Sequence, residues 1–226
     1  MGVIIYGGKM KKRIQLIIDA TTKKSKLTTR IILSALGILT MGFGMSVIEK
    51  LGFGTDPYTC LNNGLSLHSS ISLGTWGLII SGVIFVFVIL LGAEKIGLGT
   101  LFNMVGFGYS IDLFRLIWKS AGLEVITLSF PLRLALLFVM LFIFILAVSL
   151  YLAADLGCAP YDAAPELISE KCKVKFTLVR IIWDMCAVIC GALLGSAVGI
   201  TTLVCALGVG PAASLVKAKV NKYLDK

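Results

Sequence analysis

Arg180 and Asp184, four residues apart inside an otherwise apolar run, are the most chemically suggestive pair in this chain. That spacing puts a guanidinium and a carboxylate on one helical face, where they can pair. Ionisable groups inside apolar helices are costly and usually face a bundle interior. Arg180 lies about one turn from the end of its run and can reach the interface along its methylene stem. Asp184, roughly 12 Å in at 1.5 Å per residue, cannot escape so easily. Two readings stand side by side: a substrate or proton site, or a buried structural ion pair. Asp56-Pro57-Tyr58 and Ala159-Pro160-Tyr161-Asp162 form a second constellation. Asp56 reads as a helix N-cap with Pro57 at the first helical position, and Pro160 repeats that start. If both short helices point inward, their N-termini supply free N–H groups and positive dipole ends that suit a carboxylate or phosphate. Otherwise both lie in the interface and only shape the loops. Asn103, also within an apolar run, is a lining candidate because an amide in hydrocarbon needs partners. The candidate binding set is therefore Asp56, Pro57, Asn103, Pro160, Asp162, Arg180 and Asp184.

Other polar groups read as ordinary. Asp112 and Arg115, three apart, suggest a surface-facing pair. His68, in a polar loop, reads as an exposed histidine. No HExxH, Ser-His-Asp or metal-ligand cluster occurs, so the expectation is a protein that is not an enzyme and uses no metal or cofactor. Six cysteines with no CxxC suggest no disulfide framework. The spacing Gly191-xxx-Gly195-xxx-Gly199 reads as close helix packing.

The elements that must position these groups follow from composition. Of 226 residues, 58% are hydrophobic and 15% charged, where a soluble domain has about a quarter charged. Residues 31–48, 69–93, 134–154 and 185–216 carry no charge at all, and about 20 apolar residues cross a bilayer as a helix. A soluble enzyme, a secreted disulfide scaffold and a nucleic-acid-binding domain are excluded. The net charge of +9 sits in basic flanks, and so it reports topology, not a nucleic-acid partner. The predicted spans are 31–49, 74–93, 97–117, 132–154, 176–195 and 198–217. With both termini cytoplasmic, inner segments hold 16 of the 21 Lys and Arg and outer segments hold four. Residues 10–20 read as a solvated basic leader or as a short amphipathic helix on the inner leaflet.

Two halves resemble one another. Leu51-Gly52 with Asp56-Pro57-Tyr58 returns as Leu156-Gly157 with Ala159-Pro160-Tyr161, and Gly97 to Leu101 returns as Gly199 to Leu203. Gly106-Phe107-Gly108 returns as Gly208-Val209-Gly210. Three spans per unit turn the second unit over in the membrane. The expected fold is an all-α membrane protein: six transmembrane helices as two inverted three-helix repeats, each with a short Pro-initiated helix after its first span. Its parts are a basic leader (1–30), the first repeat (31–117), an external linker (118–131), the second repeat (132–217) and a basic tail (218–226).

At these residues the sequence resembles the YczE/YyaS/YitT family of bacterial integral membrane proteins, closest to its YczE-like branch. The likeness covers most of the chain from Arg30 to Val216. It rests on Arg30, Gly42-Phe43-Gly44, Leu51-Gly52 and Pro57, Gly74-Thr75-Trp76, and Gly99 to Asn103 with Gly106 and Asp112. In the second half it rests on Leu156-Gly157, Pro160-Tyr161-Asp162, Val179-Arg180, Gly195, Gly199 to Thr202, and Gly208 to Pro211. Thr201, where the family has Gly-Thr, and Asp184, where Glu is usual, depart from the pattern. The resemblance implies a bacterial plasma-membrane protein and little about substrate.

The leading expectation is a small-solute transporter with a central site between inverted repeats, an anionic metabolite being the candidate solute. The rivals are a non-transporting accessory or regulatory membrane protein and a substrate-binding subunit of a larger importer. The expected partners are the lipid bilayer and an unidentified small solute. A mass near 24 kDa is compatible with a homodimer.

Overall fold

The protein is described here by a computed structural model covering residues 26–92, 95–123 and 128–209. The expected leader up to residue 25, the basic tail and the end of the sixth span lie outside the described residues. Among them are eight helices and no strand. They are α1 (Leu27–Leu51), α2 (Pro57–Leu67), α3 (Leu73–Leu91), α4 (Leu98–Ser120), α5 (Phe130–Ala153), α6 (Pro160–Cys172), α7 (Phe176–Leu193) and α8 (Ile200–Val204). A π-helical turn, Cys205–Val209, continues α8.

Local chemistry sets several of these starts. Asp56 Oδ1 accepts the N–H groups of Tyr58 (3.1 Å) and Thr59 (3.2 Å), and Pro57 occupies the first helical position of α2. Those are two of the N–H groups a helix start leaves unsatisfied. Ser72 caps α3 by accepting the Thr75 N–H at 3.2 Å. Pro160 opens α6 without any side-chain cap from Ala159. Both short Pro-initiated helices expected from the sequence are present.

α1, α3, α5 and α7 are long and apolar enough to cross a membrane by length and composition. α4 has 23 residues, but Asn103, Ser110, Asp112 and Arg115 make it less apolar. Among the described residues there are thus four such helices, where the sequence reading expects six spans. Exposure is inverted relative to a water-soluble protein: Leu193 is 82% exposed and Asp184 only 1%. Phe138, Phe142 and Val83 face outward, while Arg30, Asn62, Asn103 and Thr201 are buried. This is the distribution expected when the surrounding solvent is hydrocarbon.

α1 packs on α5 and α4, and their contact holds the main core of Met45, Ile48, Phe107, Ile111, Leu137, Phe144 and Tyr151. α2 packs on α7 and α6 packs on α3, so each short helix rests on a long helix of the other half. At the α2–α7 crossing, a Cβ on Gly191 would stand 2.6 Å from the Cys60 carbonyl oxygen. The expected glycine stripe does not extend further. α7 ends at Leu193, Gly195 turns the chain with φ +81°, and Gly199 precedes α8. A left-handed residue just past the last turn ends a helix, and this breaks the stripe.

Matched contacts join the halves. Gly99 N–H donates to Leu156 O (2.7 Å) and Thr201 N–H donates to Phe53 O (3.0 Å). Gly54 and Gly157, each next to one of those carbonyls, have φ of +86° and +98°. Arg30 donates to Ala154 O at the end of α5 (3.2 Å), and Arg133 donates from Nε to Leu51 O at the end of α1 (3.1 Å). These contacts pair Phe53-Gly54 with Leu156-Gly157. Leu51 and Leu156, matched in the sequence, differ in their contacts: Leu51 O accepts from Arg133 and Leu156 O from Gly99. Arg30, read from sequence as part of the leader, is a buried residue within the first turns of α1.

Candidate functional site: a polar cavity between the halves

A cavity of about 1070 Å³ lies between the two halves. Lys95, Gly97, Asp155, Glu166 and Glu170 line one end; Asp56, Tyr58, Ser81, Asn103 and Phe107 line its depth, with Tyr161 and Arg180 in the wall. Among the described residues, none from the opposite loops (51–53, 68–72 and 194–199) lines it.

Arg180 is the hub of the wall. Its Nη1 donates to Asp162 Oδ1 (2.7 Å) and its Nε to Asp184 Oδ2 (2.8 Å), which ties α7 to α6. The Tyr161 hydroxyl donates to the other oxygen of Asp184 at 2.8 Å, and the guanidinium lies 5.5 Å from the centre of the Tyr161 ring. Both Asp184 oxygens are therefore occupied. The i,i+4 pairing expected from sequence is present, with Asp162 as a second acceptor.

Tyr58 stands opposite. Its hydroxyl meets Gly77 O and Ser81 Oγ, each at 2.7 Å, and its ring centre is 5.0 Å from that of Tyr161. Phe107 stacks beside Tyr58 at 6.3 Å, and Trp183 adjoins Tyr161 at 5.7 Å. Asp56 sits at the head of α2. One oxygen caps the helix, and the other, Oδ2, is buried without a hydrogen-bond partner. At the mouth, Lys95 Nζ pairs with Glu166 (2.6 Å) and Glu170 (3.1 Å). Burial pulls the Lys95 ammonium down, but the two carboxylates outweigh that and hold it above its ordinary range.

Of the seven residues proposed from sequence, Asp56, Pro57, Asn103, Asp162 and Arg180 line the cavity. Pro160 is buried at the start of α6. Asp184 sits behind Arg180 and Tyr161 and acts on the cavity through them. The anionic-ligand expectation meets an obstacle at α2, where the chain's own Asp56 carboxylate already occupies the N–H groups that an anion would use. Sequence reasoning did not single out Tyr58 and Tyr161. The signal for them was present, since Pro-Tyr recurs in both short helices.

Asp112 and Arg115 do approach each other, with Arg115 Nη1 3.7 Å from Asp112 Oδ1, but the pair is part-buried rather than surface-facing and each residue has a closer partner on another helix. Arg115 joins Glu49 of α1 through Nη2 and Nε (2.8 Å for the latter) and donates to Asn63 of α2 (2.9 Å). Asp112 Oδ2 accepts the Gly74 N–H at 2.8 Å. This cluster stands at the end of the bundle away from Lys95 and joins α1, α2, α3 and α4. Only after α1 and α2 pack beside α4 can Glu49 and Asn63 reach Arg115. His68 is exposed as expected, with Nε2 3.1 Å from Leu194 O.

Long apolar helices exposed around a polar interior define an integral membrane protein of the multi-pass helical kind. Residues 28–218 match the profile of the Family of unknown function (DUF6198), and the chain belongs to that family. It is 29% identical over 208 residues to an uncharacterized protein of Haemophilus influenzae, covering 89% of this chain and 91% of the relative. It is 28% identical over 188 residues to the uncharacterized membrane protein YczE of Bacillus subtilis, covering 83% and 85%. The YczE-like resemblance read from the motifs therefore holds. No solved structure matches the chain.

Proposed function

We propose that this protein is a small-solute transporter of the bacterial plasma membrane, with six spans in two inverted units around the cavity. The observation that carries this reading is a cavity of about 1070 Å³ lined by the tyrosine pair and by Lys95, Glu166 and Glu170, with no lining among the described residues from the loops 51–53, 68–72 and 194–199, near which the Glu49–Arg115–Asn63 cluster ties the helices together. Pockets of this order suit small metabolites. The matched contacts between the halves support two units that rock against each other. Under the orientation expected from charge bias, the Lys95 mouth is cytoplasmic and the described state faces inward. α4 supplies the third span, its polar residues turned toward the bundle. α8 begins the sixth.

Access from both faces is the test, and it needs no knowledge of the substrate. An Asn103→Cys variant is reconstituted in vesicles of one orientation, with the exposed or half-buried native cysteines replaced, and treated with a membrane-impermeant maleimide. The transporter reading expects fast labelling from the mouth and slower, complete labelling from the opposite face. Labelling from one face alone would refute it and favour the accessory alternative.

A further inference from the structure

We propose that the cavity takes a small organic cation, a protonated amine, held between Asp56 and the Tyr58–Tyr161 rings; this rests on the cavity being the solute site. The charge inventory leads there. Among the described residues, Asp56, Asp162 and Asp184 at depth share one cation, Arg180, whose hydrogen bonds go to Asp162 and Asp184. At the mouth, Lys95 is divided between Glu166 and Glu170. Each of these cations already faces two carboxylates. Asp56 lines the cavity and has no Lys or Arg partner among the described residues; its Oδ2 is enclosed and without a hydrogen bond, so the carboxylate acts on the cavity through its charge, or by contact once the side chain turns. The dipole of α2 offsets about half a charge at most. A carboxylate without a paired charge, in a cavity with largely apolar walls, raises the local concentration of cations.

The walls suit the same ligand. Tyr58 and Tyr161 meet at 5.0 Å with their planes tilted by 57°, and Phe107 and Phe144 extend this aromatic surface along the lining. Ammonium groups gain from aromatic faces within about 6 Å of the ring centre. An anion would have to displace Asp56 from the α2 N-terminus or break the pairs of Arg180. A cation leaves both in place and rests mainly against the Tyr58 ring, because the Arg180 guanidinium already lies 5.5 Å from the Tyr161 ring centre.

The purified protein is titrated with benzylammonium and tetramethylammonium chlorides, with benzyl alcohol and sodium benzoate at matched ionic strength. Thermal stability and tryptophan fluorescence are read together, since Trp183 adjoins Tyr161. Saturable stabilisation by at least one ammonium ion and none by benzoate is expected. Asp56→Asn keeps a good N-cap residue and should weaken ammonium binding at least about tenfold, the worth of 1.4 kcal/mol. Should that variant not fold, Asp56→Ser, also a good cap, serves the same purpose. Preferential benzoate binding, undiminished ammonium affinity in the Asp56 variant, or no saturable response to either ammonium ion would overturn the proposal. Uptake into proteoliposomes separates it from the transport reading. Ammonium binding without uptake keeps the cation site and refutes transport; benzoate uptake indifferent to Asp56 does the reverse.

Discussion

Gly54 and Gly157 sit where each half closes on the other, and alanine at Gly54 tests whether that closure holds the fold together. Gly54 has φ +86°, a left-handed conformation that costs an L-residue about 1–2 kcal/mol. A Cβ there would stand 2.5 Å from the Gly199 nitrogen and 2.6 Å from Thr202 Oγ1. Backbone cannot give way as a flexible side chain can, and overpacking of this kind adds about 1–3 kcal/mol. Displacing the chain also weakens the Thr201–Phe53 hydrogen bond, worth about 1 kcal/mol. Gly54→Ala should therefore cost about 3–6 kcal/mol, summing these contributions. Two controls isolate the causes. Gly122 has φ +63° with nothing within 4 Å of the added carbon, so Gly122→Ala carries the strain alone, about 1–2 kcal/mol. Gly82, inside α3, also meets nothing within 4 Å, and Gly82→Ala should stabilise by about 0.5–1 kcal/mol. Helical circular dichroism during SDS titration of mixed micelles measures all three. If Gly54→Ala costs no more than Gly122→Ala, the closure reasoning fails.

Other expectations follow from the ion pairs. Arg180→Ala strands Asp162 and Asp184 and should lose about 3 kcal/mol or more in the same titration. Tyr161→Phe removes one hydrogen bond to buried Asp184 and should lose about 1–3 kcal/mol, so it should be milder than Arg180→Ala. Arg115→Ala should release α4 from α1 and α2 and speed maleimide labelling of Asn103→Cys from the face away from Lys95. All six cysteines are free, so electrophoretic mobility should be unchanged by a reducing agent.

Element starts were legible because their causes are local. Asp56-Pro57 announces α2, and Pro160 announces α6, within a few residues of the helix itself. The Arg180–Asp184 pair was legible for the same reason, a spacing of four on one helix. Asp112 and Arg115 show where such reasoning stops. Their spacing of three is real, but the stronger partners of Arg115, Glu49 and Asn63, come from two other helices. The glycine stripe misled in a similar way, since spacing in sequence implies one face only while the helix continues, and α7 ends before Gly195.

The sequence by itself determined the membrane class, the helix starts and the presence of charge inside the apolar runs, because hydropathy and capping add up along the chain. Tertiary structure decided what those charges do. The crossings of α2 with α7 and of α6 with α3 set Asp56, Tyr58, Tyr161 and Arg180 around one cavity. There Arg180 pairs with Asp162 and Asp184, and Asp56 keeps an oxygen without a partner. Whether a carboxylate is satisfied depends on distances through space, and residues far apart in the chain acquire those distances only when the helices pack.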